Sequence, residues 1–414
     1  MTGELTRRER CRLCDGRQLE LCLPMEPSPI GDAFITAEQL GVPQPIFPLD
    51  LYLCRSCGHV QNLDVVDPEL LFREYIYNTS NSPWLVKHFR HYVAEVCSRI
   101  APPPDSLVVE IGSNDGTLLR LFREAGMRVL GVDPAREIAR RASRAGIETL
   151  DTFFTAQLAQ SIRASHGPAA LVCANNVFAH ADDLRDIAIG VRELLAEDGV
   201  FIFEVSYLVD IVDRMLFDTI YHEHLSHHTV APLERFFRQI GLCLFDVQRV
   251  ASKGGSIRCF VQHSDSGRRA AGPGLEACLA EERRRGFAEP AIYRQFHARI
   301  QQRKHELHAA LQQEIRKGSM IAGYGASTTT TTLLWYFGLT RMISFIVDDN
   351  PVKHGRYSPG CHIPVVPSGE LAIRRPDIVV VLAWQYADRI IERQHSFIAS
   401  GGTFLVPLPN LRTV

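Results

Sequence analysis

The run Leu107-Val108-Val109-Glu110-Ile111 is apolar and β-branched. It passes directly into the small-residue turn Gly112-Ser113-Asn114-Asp115-Gly116 and then into a helical pattern from Leu118 to Ala125. A buried strand that ends in a glycine-rich turn and opens a helix narrows the fold to a parallel α/β sheet, because the helix must return across one face of the sheet. Three more apolar strands come next, separated by helical stretches: Val129-Leu130-Gly131-Val132-Asp133, Ala170-Leu171-Val172-Cys173-Ala174 and Val200-Phe201-Ile202-Phe203-Glu204. This alternation predicts a doubly wound sheet. Upstream, a helix is expected from Trp84 to Ile100, stopped by Pro102-Pro103-Pro104.

A second series begins later. The break Gly272-Pro273-Gly274 leads into a long polar helical run, Leu275 to Lys317, followed by strands at Met320-Ile321-Ala322, Ile343 to Val347, Ile378 to Leu382 and Thr403 to Val406. The expected organisation is an N-terminal block, residues 1–75, a first α/β domain, 76–247, and a second α/β domain, 248–414. A chain of 414 residues is long enough for three such units.

The N-terminal block is rich in Pro and Cys. Cys11-Arg12-Leu13-Cys14 and Cys54-Arg55-Ser56-Cys57 form two Cys-x-x-Cys pairs, the second followed by Gly58, which suits a tight turn. Four thiolates make a closed tetrahedral zinc site with no open position, hence a structural one. Cys22 and His59 are the alternative ligands; the competing reading is two pairs of buried thiols without metal. The first ten residues carry no apolar signal-peptide core, so a reducing, cytoplasmic setting is expected, in which the 11 cysteines point to metal and not to disulfides.

Formal net charge is −2. No basic stripe points to nucleic acid, and no stretch of 18 apolar residues points to a membrane span. Glu281-Glu282-Arg283-Arg284-Arg285 reads as a solvated helix face. The oligomeric state stays open, a monomer included.

The turn has the form E-x-G-x-N-x-G. Glycines let the backbone approach a ligand, and Asn114 stands where nucleotide folds often carry Gly; Asn tolerates the left-handed conformation. Asp133 ends the second strand, where a carboxylate can accept hydrogen bonds from both ribose hydroxyls. With Asn175-Asn176 after the third strand, the combination resembles the class I methyltransferases, which bind S-adenosylmethionine. The resemblance implies that Glu110 and Gly112 flank the methionine portion, with Asn114 and Gly116 completing the turn. It further implies that Asp133 holds the ribose and that Asp151-Thr152-Phe153 lies near adenine. A NAD fold and a sheet without ligand remain alternatives; the missing third Gly leans against NAD.

Tyr221-His222-Glu223-His224 places three titratable side chains and a phenol in four residues. A histidine near neutral pKa can remove a proton, and a carboxylate can orient it. The two histidines lack the i, i+4 spacing of a zinc protease. A plain polar loop is the other reading.

Taken together, the cysteine pairs, the turn, Tyr221 to His224, Gly323-Tyr324-Gly325-Ala326-Ser327 and Asp348-Asp349-Asn350-Pro351 resemble the nucleotide-sugar C-methyltransferases of deoxysugar biosynthesis. One type that it resembles is the C-3′-methyltransferase that makes tetronitrose. The resemblance spans the chain in order. It implies a zinc module, a methyltransferase domain and a C-terminal Rossmann-like domain, with a nucleotide-linked keto sugar, dTDP being the expected nucleotide, held between the last two. It implies that His224 is the base that forms an enolate, that Tyr221 and Glu223 share the active site, and that Tyr75 and Asn176 line the sugar pocket. Lys253 and Arg258, around Gly254-Gly255, suit a diphosphate, or else an ordinary basic hairpin. Members often carry a Lys after Gly-Ala-Ser, where this chain has Thr328 to Thr332, a departure that puts sugar or nucleotide preference in doubt. Asp348 leaves NAD binding in the last domain as a minor reading. The competing functions are methylation of another substrate such as RNA, and non-catalytic binding of a nucleotide sugar.

Overall fold

The computed structural model describes residues 5–73 and 78–414. Leu107–Ile111 is a strand with all five residues buried. It lies in a seven-stranded sheet, so its continuous apolar run follows from burial on both faces. The strand order is Leu242–Val250, Ser256–His263, Leu195–Ser206, Ala169–Asn175, Leu107–Ile111, Arg128–Val132, Thr149–Leu150. The last five are parallel and the first two form an antiparallel hairpin on one edge. From Leu107–Ile111 the chain first works outward through Arg128–Val132 and Thr149–Leu150, then crosses back to Ala169–Asn175 on the other side. That reversal opens a crevice at the carboxyl ends of the two central strands, the usual ligand position in such sheets.

The expected boundary between residues 247 and 248 falls inside the strand Leu242–Val250, and the first sheet continues to His263. The second sheet has six strands in the order Val365–Pro367, Ile346–Asp348, Ile321–Tyr324, Ile378–Val381, Thr403–Val406, Arg412–Thr413; all but the last are parallel. The expected single helical run between the sheets is two helices, Pro273–Arg285 and Pro290–Arg316. Gly286, at φ 73°, ends the first, and Pro290 opens the second. Glu282 is not on a solvated face. It is buried and accepts hydrogen bonds from the Val230 and Ala231 amides and the Tyr207 hydroxyl, at 2.6, 2.9 and 2.8 Å. These amides open the helix Val230–Gln239, whose N-terminus favours a carboxylate.

The N-terminal block is joined to the rest of the chain through a shared sheet. That antiparallel sheet contains Leu19–Leu23, Leu51–Cys54 and Val60–Asn62, and its fourth strand is Ser226–His227, separated from the Tyr221 to His224 motif by Leu225 alone.

The threonine run opens the helix Thr328–Tyr336. Thr330, Thr331 and Thr332 are buried, and their hydroxyls donate to the carbonyls of Gly325, Gly31 and Ile220 at 2.9, 2.7 and 3.0 Å. β-Branched residues are poor helix formers, but here each hydroxyl ties the helix to a different segment, including the residue before Tyr221.

Candidate active site

The crevice is a cavity of about 380 Å³, within the roughly 300–1,000 Å³ of small-molecule sites. Glu110, Gly112, Asn114, Asp133, Phe153, Asn176 and Lys253 all line it. Gly112 has φ 68°, and a Cβ there would lie 2.3 Å from Val177, so only glycine fits this turn. Asn114 is also left-handed, at φ 49°. Its amide donates to Asp133 Oδ2 at 2.7 Å, and the Ala135 amide donates to Oδ1 at 2.8 Å. The Asp133 carboxylate is therefore fixed in place, with lone pairs left over for a ligand. Burial raises its pKa.

Glu110 is buried, and its Oε2 has no hydrogen-bond partner among the described residues. Burial, then the nearby Asp133 and Asp115, push its carboxyl well above the ordinary range. A buried carboxyl oxygen left without a partner at a cavity wall is costly unless a ligand satisfies it. The amino group of a methionine moiety would do so, and Asp133 would take the ribose. The residues present thus fit S-adenosylmethionine.

Three expected cofactor and substrate positions differ. Gly116 does not line the cavity. It has φ 72°, and a Cβ there would lie 2.9 Å from Ile147, so this glycine serves packing. Thr152 faces a shallow depression beside Arg140 and Asp151, outside the cavity. Arg258 is not available to a diphosphate: its guanidinium is buried against Glu204 Oε1 and Glu95 Oε2, both at 2.7 Å, over the Tyr92 ring. Tyr75 lies outside the described residues.

Lys253 differs from its sequence neighbour in the expected pair. It takes a left-handed conformation, φ 49°, lines the cavity, and its charge acts on His180 and His224.

His224 is buried beside a small recess that shares Asn176 and His180 with the main cavity. Its Nδ1 lies 2.6 Å from the Thr219 carbonyl oxygen. A carbonyl only accepts, so Nδ1 carries the hydrogen and Nε2 is the acceptor. Burial lowers its pKa to about 3, well below the near-neutral value expected from the sequence, so the imidazole is neutral at physiological pH. The Tyr221 ring packs 4.1 Å from it. Glu223 is buried in the same turn. His222 points the other way, with Nε2 3.3 Å from the Phe47 carbonyl.

Two features of the site have no counterpart in the sequence-based expectations. His180 stacks on Phe72 and meets the His224 ring at a tilt, with centroids 5.8 and 5.0 Å away, and lines both spaces. It lies four residues beyond Asn176, in the loop that leaves the strand Ala169–Asn175; a titratable residue so placed was the available signal. The other is the wall built by the N-terminal block, where Val65, Val66, Pro68, Leu71 and Phe72 close one side of the cavity.

The four sulfurs of Cys11, Cys14, Cys54 and Cys57 lie within 4.8 Å of one another. The Cys11–Cys57 and Cys14–Cys54 separations are 3.6 and 3.5 Å. A zinc tetrahedron with 2.3 Å bonds has edges of about 3.8 Å, so the set fits zinc closely and leaves no open position. Cys22 and His59 are not part of the group. The Cys22 thiol donates to the Leu51 carbonyl, and His59 Nε2 meets Ser226 Oγ at 3.2 Å.

A strand order with a terminal hairpin, a buried carboxylate at the turn and a second one at the next strand end define a class I methyltransferase that uses S-adenosylmethionine and carries a structural zinc. Three family models match the chain in succession: a zinc binding domain at residues 11–72, a methyltransferase domain at 85–246 and a C-methyltransferase C-terminal domain at 251–409. The chain is 36% identical over 407 residues to the C-methyltransferase NovU of Streptomyces niveus, covering 98% of this chain and 97% of that one. The chain belongs to this C-methyltransferase family. Solved structures also resemble part of it. An S-adenosylmethionine-dependent methyltransferase of Clostridium acetobutylicum matches at 15% identity, with a TM-score of 0.35, over 43% of this chain and 92% of that one. The magnesium protoporphyrin IX methyltransferase of Synechocystis, with bound S-adenosylhomocysteine, matches at 15% identity, with a TM-score of 0.33, over 43% and 83%. No helix among the described residues is long and apolar enough to cross a membrane.

Proposed function

We propose that this C-methyltransferase acts on a nucleotide-linked keto sugar, with dTDP the expected nucleotide, and that His224 is the base. The observation that carries the reading is the His224 tautomer: a neutral imidazole locked through Nδ1, at a recess that shares Asn176 and His180 with the cofactor cavity. A C–H beside a ketone is a weak acid. His224 Nε2 takes that proton, and the electron pair of the broken C–H bond passes to the carbonyl oxygen as an enolate. S-adenosylmethionine, when bound, supplies an electrophilic methyl group, and the enolate carbon is the nucleophile for it. Lys253, whose charge is felt at both His180 and His224, is suited to the oxyanion or to a substrate phosphate. Tyr221 holds the face of the His224 ring, and Asn176 lines the approach. The division into zinc module, methyltransferase unit and C-terminal unit is part of the same proposal, the second junction lying beyond the hairpin strand Ser256–His263.

Labelled S-adenosylmethionine is incubated with a panel of dTDP-linked keto sugars. Transfer of label to carbon of one sugar is expected. With S-adenosylhomocysteine in place of the donor, solvent deuterium is expected to wash into the carbon beside the ketone. Transfer to RNA, or S-adenosylmethionine binding without transfer to any sugar, overturns the proposal.

A further inference from the structure

Arg12 lies between two zinc ligands, yet its side chain runs away from the metal site into the interior. The guanidinium is fully buried, at 0% exposure. Its Nη1 donates to Gln61 Oε1 at 3.1 Å, to the Asn62 carbonyl and, at 3.4 Å, to the Leu225 carbonyl. On its other side Nε and Nη2 meet Asp182 Oδ1 at 3.1 and 3.0 Å. The Arg12 amide adds a bond to Gln61 Oε1 at 3.1 Å, which fixes the base of the side chain.

The two ends of this fork have a specific address. Leu225 follows His224, and Asp182 lies two residues past His180. One rigid guanidinium therefore spans the two segments that carry the facing imidazoles, whose centroids are 5.0 Å apart. Guanidinium suits such a span because its donors lie in one plane at set angles, whereas an ammonium offers a single point. The same segments are also stitched by the Leu225 and Ser226 amides, which donate to the Ala179 carbonyl at 2.9 and 3.1 Å. Arg12 supplies the second, side-chain tie, and its own position is set by Cys11 and Cys14 at the metal.

We propose that Arg12 is a positioning residue for methyl transfer: it passes the fixed geometry of the zinc knuckle to the spacing of His180 and His224. The proposal rests on His224 being the base. It gives the zinc a part in the reaction through this chain's own side chain, while the metal stays remote from the substrate.

The test uses the full-length zinc-loaded protein with a dTDP-linked 4-keto sugar as probe, and a double-mutant cycle with His224→Gln. Arg12→Met is expected to retain about one zinc per chain and to bind S-adenosylhomocysteine as the wild type does. Its kcat should fall about 10–100-fold with KM little changed, the scale of a misplaced catalytic group. In the His224→Gln background the same substitution should cost less than about 3-fold, because no base remains to be misplaced. Arg12→Lys, which can hold one end of the span, should restore part of kcat. A readout free of substrate is the nitrogen spectrum of the imidazoles: His180 and His224 should shift in Arg12→Met, while His354, whose Nε2 lies 2.8 Å from the Asp348 carbonyl oxygen at the second sheet, stays. Should Arg12→Met fail to fold, Asp182→Asn, whose side chain is 39% exposed, cuts the same span from its outer end. Equal losses in both backgrounds, a loss confined to KM, or unmoved imidazole signals overturn the role of Arg12. Full turnover by His224→Gln overturns the base, and this link with it.

Discussion

Arg258 and Glu204 face each other across adjacent antiparallel strands, and the guanidinium meets the carboxylate at 2.7 Å with both side chains nearly inaccessible, 3% and 1% exposed. Glu204 also accepts from His88 at 2.8 Å, and Arg258 reaches Glu95. His88 and Glu95 lie on the helix Pro83–Ile100, so the group of charges clamps that helix to the sheet. Arg258→Met should therefore act on stability and not on substrate affinity. Leaving Glu204 without its arginine is expected to cost about 3–5 kcal/mol, the scale of a broken buried ion pair. Denaturant unfolding measures the loss. A variant of unchanged stability whose KM alone rises would restore Arg258 to the substrate site.

Asp133 is held by the Asn114 and Ala135 amides, which aim its carboxylate at the cavity. Asp133→Ala should weaken S-adenosylmethionine binding by about 1–3 kcal/mol, the scale of hydrogen bonds lost at a buried site. Calorimetric titration gives the dissociation constant, and an unchanged value would mean that the ribose lies elsewhere.

Asp133 and Arg258 differ in how legible they are in the sequence. Asp133, Glu110 and the Gly112 turn belong to one strand–turn–helix–strand unit, so their grouping is legible in local spacing, and the resemblance supplies the cofactor roles expected of them. The cysteine pairs are legible for the same reason: each pair is four residues long. Arg258 reads as a free cation because its partners lie 54 and 163 residues away. The hairpin Leu242–Val250 and Ser256–His263 breaks the strand–helix alternation, so nothing local assigns it to the first sheet. The Ser226–His227 strand has only two residues and no periodicity to read. The union of zinc module and reaction loop is invisible in the sequence for that reason, as is the Arg12 span that depends on it.

Burial also makes stability depend on pH through single histidines. His228 is fully buried, with Nε2 3.2 Å from the Phe178 carbonyl, and burial lowers its pKa to about 4. The unfolded chain has the ordinary value near 6.5. The unfolded state therefore binds the proton first. The stability contributed is complete above about pH 6.5 and is lost as pH falls from there toward 4. Asp218 acts in the opposite direction: burial raises it to about 7, so the folded state binds its proton first, and a whole-protein curve mixes the two signs. Comparison with His228→Gln isolates one group. Between pH 7.5 and 5.5 the wild type should lose about 1.4 kcal/mol relative to that variant. A stability difference that stays constant over this range would show that His228 does not titrate between the two states.

The two histidines of the reaction loop should separate by mutation. They are two residues apart and both buried, but they face opposite ways. His222 contacts the Phe47 carbonyl and ring, on the N-terminal side. His224 is locked by Thr219, packs against Tyr221 and His180, and presents Nε2 as its acceptor. Of the two, only His224 lines the recess that contains Asn176 and His180, and the proposed reaction assigns it the base. His224→Asn should reduce turnover by about 10²–10⁴-fold, the usual contribution of a positioned base. Cofactor affinity should stay near that of the wild type, because the carboxylates assigned to the cofactor, Glu110 and Asp133, lie on other strands. His222→Asn should do less to turnover. Its burial predicts that what it loses is stability at the junction with the N-terminal block, seen as a lower melting temperature. Single-turnover kinetics with saturating cofactor read the chemical step directly. If His224→Asn methylates at the wild-type rate, the proton leaves by another route, and Tyr221 or Glu223 becomes the base to test.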